Sequence, residues 1–164
     1  MCFPGSKMKF TTKEDIEAPI DAVFRAVSDF DAFERAALRR GGQVRRVSED
    51  TRPEAMITWN ISFAFRGKKR KMLAELTELD EPNRVLVQSV SGGVEGKMKM
   101  DLVAMSRGRT RLSVELDIKP KTLAARVLVQ SLRIAKSKLN TRYRMRVASF
   151  ASDVEDRYKG GRLT

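Results

Sequence analysis

The sequence predicts an α+β chain: an antiparallel sheet of about seven strands, two short helices after the first strand, and one long C-terminal helix closing the sheet. Three observations predict this class. From Lys121 to Tyr158 there is neither Pro nor Gly, and Leu128, Leu132, Ala135, Leu139, Tyr143, Val147, Phe150, Val154 and Tyr158 recur at steps of three or four, which aligns them on one side of a helix. Ahead of that segment, stretches of alternating apolar and polar residues are separated by short turns, so consecutive strands pair antiparallel. After the first such stretch, Ala18-Pro19 opens a segment of helical spacing instead.

Met8 to Glu17 alternates Phe10, Thr12, Glu14 and Ile16 against Lys9, Thr11, Lys13 and Asp15, the period of a half-buried strand, with Glu14 the odd member of its apolar face. Pro19 suits a first helical position, and Val23, Phe24 and Val27 supply the apolar side of the helix that follows. Ser28-Asp29, then Phe30, Phe33, Ala37 and Leu38, predict a second short helix that ends at Gly41-Gly42. Gln43 to Ser48 reads as a strand, and Glu49 to Glu54, with Pro53, as a turn. The clearest strand places Ile57, Trp59, Ile61, Phe63 and Phe65 on one face and Asn60 on the other, outward side. Arg66 to Lys71 is expected as a basic hairpin loop before a strand over Met72 to Leu79, whose inward parity the pattern leaves open. Val85 to Val90 is a strand closed by Ser91-Gly92-Gly93. In the next, Val94, Met98, Met100, Leu102 and Ala104 face one way, and in the last Leu112, Val114, Leu116 and Ile118 do. Pro120 ends the sheet.

A length of 164 residues fits one domain, 1–164, with a core over about residues 8–158 and flexible termini. No apolar run has the ~18 residues of a membrane-spanning helix and the first residues lack a secretory pattern, so the expected location is cytoplasmic. Cys2 is the sole cysteine, which rules out an internal disulfide. The chain carries a net +12, and residues 119–164 hold twelve Lys and Arg against three acidic residues, so this segment supplies +9 of it. A cationic surface of this kind attracts anionic partners and says nothing about the fold. The absence of histidine excludes Ser-His-Asp and Cys-His nucleophile pairs and histidine metal sites. No metal or cofactor is expected.

A cavity between sheet and helix would be lined by Phe10, Trp59, Phe63, Phe65, Met98, Met100, Leu132, Leu139 and Tyr143, with Phe30 and Phe33 from the second short helix. The same residues would equally fill a core, since every packed sheet needs an apolar face. Glu14 is the candidate catalytic or ligand-anchoring group, because an inward carboxylate is costly unless paired and has its acidity shifted by burial. Lys68, Lys69, Arg70, Lys71, Arg133, Lys136 and Arg144 could contact an anionic membrane surface. Nucleic-acid binding is disfavoured, because no aromatic residues are interleaved with these charges to stack bases.

The order strand, two short helices, six meandering strands and a long helix resembles the helix-grip fold of the START-like (SRPBCC) superfamily, over nearly the whole chain. So does the opening Ile16-Glu17-Ala18-Pro19-Ile20-Asp21-Ala22-Val23-Phe24, followed by Val27-Ser28-Asp29-Phe30. The resemblance implies a curved sheet wrapped round the last helix and an apolar cavity for lipids, quinones, polyketides or similar molecules. A carrier or sensor of a hydrophobic small molecule is the reading it favours. A polyketide cyclase- or dehydratase-like enzyme using an inward carboxylate is the alternative, and basic association with membrane or RNA a third. Entry of the ligand is expected near Gly92-Gly93 and the two short helices.

Overall fold

The computed structural model describes residues 7–47 and 57–162. Cys2 and the turn expected over Glu49 to Glu54 lie outside the described residues. β1 (Met8–Ile16) leads into α1 (Ile20–Val27) and α2 (Phe30–Arg39), followed by β2 (Gln43–Arg46) and β3 (Thr58–Phe65). β4 (Lys68–Asp80), β5 (Arg84–Ser91), β6 (Val94–Ser106) and β7 (Arg109–Pro120) complete the meander. α3 (Leu123–Ile134) and α4 (Lys136–Lys159) close the chain. The strands form a seven-stranded antiparallel sheet in the order β1-β7-β6-β5-β4-β3-β2, so the last strand returns to lie beside the first. The α+β helix-grip architecture is thus the one the sequence predicts.

Register carries one apolar face right across the sheet. Ile61 stands opposite Met72, Ala74 opposite Ser89, Val87 opposite Met98, Met98 opposite Leu116, and Leu116 opposite Phe10. Because side chains alternate with a period of two, this pairing also settles the parity of β4, with Met72, Ala74 and Leu76 facing inward. Asn60 faces outward and is exposed.

Two hairpins differ in an instructive way from simple loops. The expected basic loop Arg66 to Lys71 is only a two-residue turn, Arg66-Gly67, with φ of 51° and 73°, and β4 begins at Lys68. Two successive positive φ values suit the twist of the flanking strands, and Gly67 adopts one without steric cost. Lys68, Lys69, Arg70 and Lys71 therefore sit on a strand and alternate between its faces. Phe63 pairs with Arg70 and Phe65 with Lys68, so those two cations share the inner face, and Lys69 and Lys71 the outer. At the same end of the sheet, Gly92-Gly93 makes the β5–β6 turn with φ of 52° and 81°.

The long C-terminal helix is present but broken once, at Ala135, which has φ −100° and ψ 16°. Its N–H donates to the Leu132 carbonyl (3.1 Å), a tighter closure than the α-helical one. The two segments dock on different strands: α3 packs on β7 while α4 crosses β1. The buried residues of α3 are accordingly Ala125 and Val129, with Leu128 only half-buried, whereas α4 buries Ala151 and Val154.

The main core joins Ile16, Val23, Val27, Val85, Leu102, Leu112 and Val154, all at most 3% exposed. Each such side chain contributes about 1.5–3 kcal/mol of burial. Thr110 is the buried polar member, and its hydroxyl donates to the Ala18 carbonyl at 2.8 Å, which fixes the start of α1 against β7. A second small core of Met8, Phe10 and Val129, with Leu132 and Leu139 against it, lies under α3. Among the described residues no helix is long and apolar enough to cross a membrane.

Candidate ligand-binding site

Inward residues of β3 to β7 form the floor of a cleft, and α2 and α4 form its walls. A section of about 360 Å³ lies between α2 and the sheet, lined by Phe30, Phe33, Glu34, Trp59, Met72, Ala74, Val87, Met98 and Leu116 among others. A larger section of about 930 Å³ lies between α2 and α4, lined by Phe33, Met98, Met100, Leu112, Val114, Tyr143, Val147 and Phe150, with Arg39, Arg40, Arg146 and Asp153 at its rim. The two adjoin, since Phe33, Ala37, Met98 and Met100 border both.

Aromatic contacts tie the walls to the floor. Phe30 tilts against Trp59 with ring centroids 5.5 Å apart, and Phe33 of α2 stacks on Phe150 of α4 at 5.8 Å and 29°. α2 owes this position to its face rather than to a buried core: Asp29 caps it by accepting from the Ala32 N–H, and none of its side chains is fully buried.

Two polar side chains on the walls, Glu34 and Tyr143, are held by hydrogen bonds. Glu34 Oε1 accepts from Trp59 Nε1 at 2.8 Å and from Arg46 Nε, and Arg46 Nη2 also reaches Asp31 Oδ1 at 2.6 Å. Burial pushes the Glu34 carboxyl up, but the hydrogen bonds from Arg46 and Trp59 outweigh it and hold the group below its ordinary 4.5. The Tyr143 hydroxyl donates to the Val114 carbonyl at 2.6 Å, so this side chain presents its ring as wall and keeps its oxygen on the sheet. Burial, aided by the charge of Glu115, pushes its phenol up to about 12.

Of the residues named from the sequence, Phe30, Phe33, Trp59, Met98, Met100 and Tyr143 come together at the cleft. Phe10, Leu132 and Leu139 belong to the second core, where Phe10 packs on Tyr143 at 5.6 Å. Phe63 and Phe65 are inward but border neither section, and Phe65 lies under Arg66 and Arg70 at 5.6 and 5.5 Å. Glu14 stands opposite Leu112 on the inner face, half-buried, and lines neither section. The Gly92-Gly93 turn lies beside the start of α3, where Lys121 N–H donates to the Gly93 carbonyl at 2.7 Å, and borders neither section of the cleft. The carboxylate of the smaller section is Glu34, and its signal was in the sequence: Phe30, Phe33, Glu34 and Ala37 are spaced as one helical face, with a single charge among apolar residues.

A model of the family described as polyketide cyclase/dehydrase and lipid transport matches residues 7–155. No curated protein matches the chain. Among solved structures, the Zhui aromatase/cyclase of Streptomyces sp. R1128 is similar over 93% of this chain and 96% of its own, at 12% identity and a TM-score of 0.65. Truncated norcoclaurine synthase from Thalictrum flavum is similar over 93% and 92%, at 12% identity and a TM-score of 0.61. A START superfamily protein from Mycobacterium smegmatis is similar over 82% and 95%, at 12% identity and a TM-score of 0.53. At these identities the likeness is one of fold. With the family match spanning nearly all of the described residues, the chain belongs to the polyketide cyclase/dehydrase and lipid transport family, within the START-like (SRPBCC) superfamily.

Proposed function

We propose that the protein binds a hydrophobic small molecule, such as a lipid, a quinone or a polyketide-like compound, in the cleft between sheet and C-terminal helix, as its carrier or sensor. The observation that carries this reading is the two-part cleft itself, whose sections of about 360 and 930 Å³ fall in the range of ligand sites. Met98 and Met100 at its centre adapt to varied ligand shapes. Arg39, Arg40 and Arg146 at the rim favour an amphipathic molecule with its apolar body inside and a polar or acidic end toward solvent.

Native mass spectrometry of freshly purified protein tests this. A co-purifying hydrophobic mass is expected. A protein that arrives empty and takes up no apolar fluorescent probe would sink the reading.

An enzyme of the cyclase or dehydratase type is the second reading, favoured by the family and by Glu34 in the smaller section. A carboxylate that already accepts from Trp59 and Arg46 is a weak base, so its geometry suits an anchor better than a proton acceptor.

A further inference from the structure

α3 is apolar on two opposite sides. Ala125 and Val129 are buried toward the sheet. On the other side Leu123, Val127 and Ile134, spaced by four and seven positions, share one face, with Gln130 between the last two, and are 73%, 62% and 92% exposed. An exposed aliphatic ridge on a well-packed element marks a surface that something else covers.

Its surroundings say what. No acidic residue stands between Asp117 and Asp153 in the sequence. Arg133, which donates to the Lys7 carbonyl at 2.6 Å, flanks the ridge, and Lys136 and Lys138 stand exposed where α4 begins. The β3–β4 turn reaches the same helix, because Arg66 Nη1 donates to Ser131 Oγ at 2.9 Å, and exposed Lys68, on the inner face of β4, stands next to that turn. Aliphatic side chains flanked by cations, with Glu95 the acidic neighbour where it pairs with Lys121 at 3.6 Å, match a layer that is apolar inside and anionic at its face.

We propose that the outer ridge of α3 docks on an anionic lipid bilayer, with Leu123, Val127 and Ile134 entering the interfacial layer and the flanking Lys and Arg meeting lipid phosphates. A second copy of the chain fits less well, since two such ridges would bring like charges face to face. RNA fits less well too, because the ridge has no ring on which a base can stack. Docking of this kind does not depend on what fills the cleft.

Co-sedimentation with vesicles of phosphatidylcholine plus phosphatidylglycerol, and of phosphatidylcholine alone, tests it. The wild-type chain is expected to bind the anionic vesicles, and to release them between about 0.1 M and about 1 M salt as the screening length falls from about 10 to about 3 Å. The Leu123→Ser, Val127→Ser, Ile134→Ser triple variant is expected to bind at least about tenfold more weakly with an unchanged circular dichroism spectrum. If the triple variant does not fold, Ile134→Ser alone is used, with a severalfold loss expected. Three results would overturn the proposal: no binding by the wild type, equal binding by wild type and variant, or equal binding to both kinds of vesicle. A wild-type dimer that the triple variant turns into a monomer in analytical ultracentrifugation would assign the ridge to a second copy and overturn it likewise. None of these results bears on native mass spectrometry of the cleft, so the two readings fail separately.

Discussion

Glu34 is the residue on which the chemistry of the cleft turns. Its oxygen Oε1 takes two donors, so removing the charge leaves Trp59 Nε1 and Arg46 with a neutral partner. Glu34→Gln is expected to lower stability by about 1–2 kcal/mol, because hydrogen bonds to charged groups are worth more than neutral ones; denaturant titration measures it. The pH dependence has a definite sign. The folded-state carboxyl titrates below its ordinary 4.5, so its contribution is present above that value and is lost as pH falls through the lower folded-state value. Asp15, lowered by its hydrogen bond from Arg111, and Glu115, lowered by its bond from Lys9, act in the same direction. Thermal melts of Glu34→Gln should therefore show a shallower loss of stability below about pH 4.5 than the wild type, and parallel acid profiles would refute the role assigned to this carboxyl. Glu14 attracted attention in the sequence because parity puts it inward, yet parity does not tell how far along a strand a cleft extends. Glu34 was legible only once Phe30, Phe33 and Ala37 are read as a face with a charge in it.

At the scale of elements, the strands were legible to within a residue or two wherever one face is apolar, as in β3 and β7. The start of β4 was not, because Lys68 to Lys71 looks like loop by composition. Hydrogen bonding across a two-residue turn extends the strand regardless of charge. The break at Ala135 left no mark in the sequence, since neither Pro nor Gly stands there; the two segments dock on different strands. The junction of sheet and helix is tight at its other end. A Cβ on Gly93 would lie 2.6 Å from Thr122 Oγ1, and Thr122 caps α3 by accepting from the Ala125 N–H at 3.1 Å. Gly93→Ala combines that clash with a φ of 81°, so a loss of about 1–3 kcal/mol is expected. Calorimetry should show a melting temperature lower by several degrees, roughly 2–4 °C per kcal/mol for a chain of this size. An unchanged melting temperature would mean that this junction is looser than the geometry has it.

For the molecule as a whole, the arrangement of sheet and helices followed from periodicity and turn residues, and the family match agrees with it. What no linear pattern shows is which apolar residues fill the core and which leave room. Phe10 and Met100 both alternate inward, yet Phe10 is covered by Tyr143 and Val129 while Met100 borders open space. This division yields a test of the cleft. Met100→Trp adds bulk where there is room for it, and is expected to keep the fold and stability to within about 1 kcal/mol while excluding the ligand. Native mass spectra that still show a bound mass in that variant would move the site elsewhere.

The want of any buried side chain on α2 has a consequence for motion. A helix whose inner face looks onto open volume is held by its cap, by the Phe30–Trp59 and Phe33–Phe150 contacts and by the bonds that Glu34 and Asp31 make with Trp59 and Arg46, so it is the wall that gives up the least buried surface when displaced. A molecule lodged beneath it would supply the apolar neighbours that the chain itself does not, and in that sense cargo and door would fold as one unit.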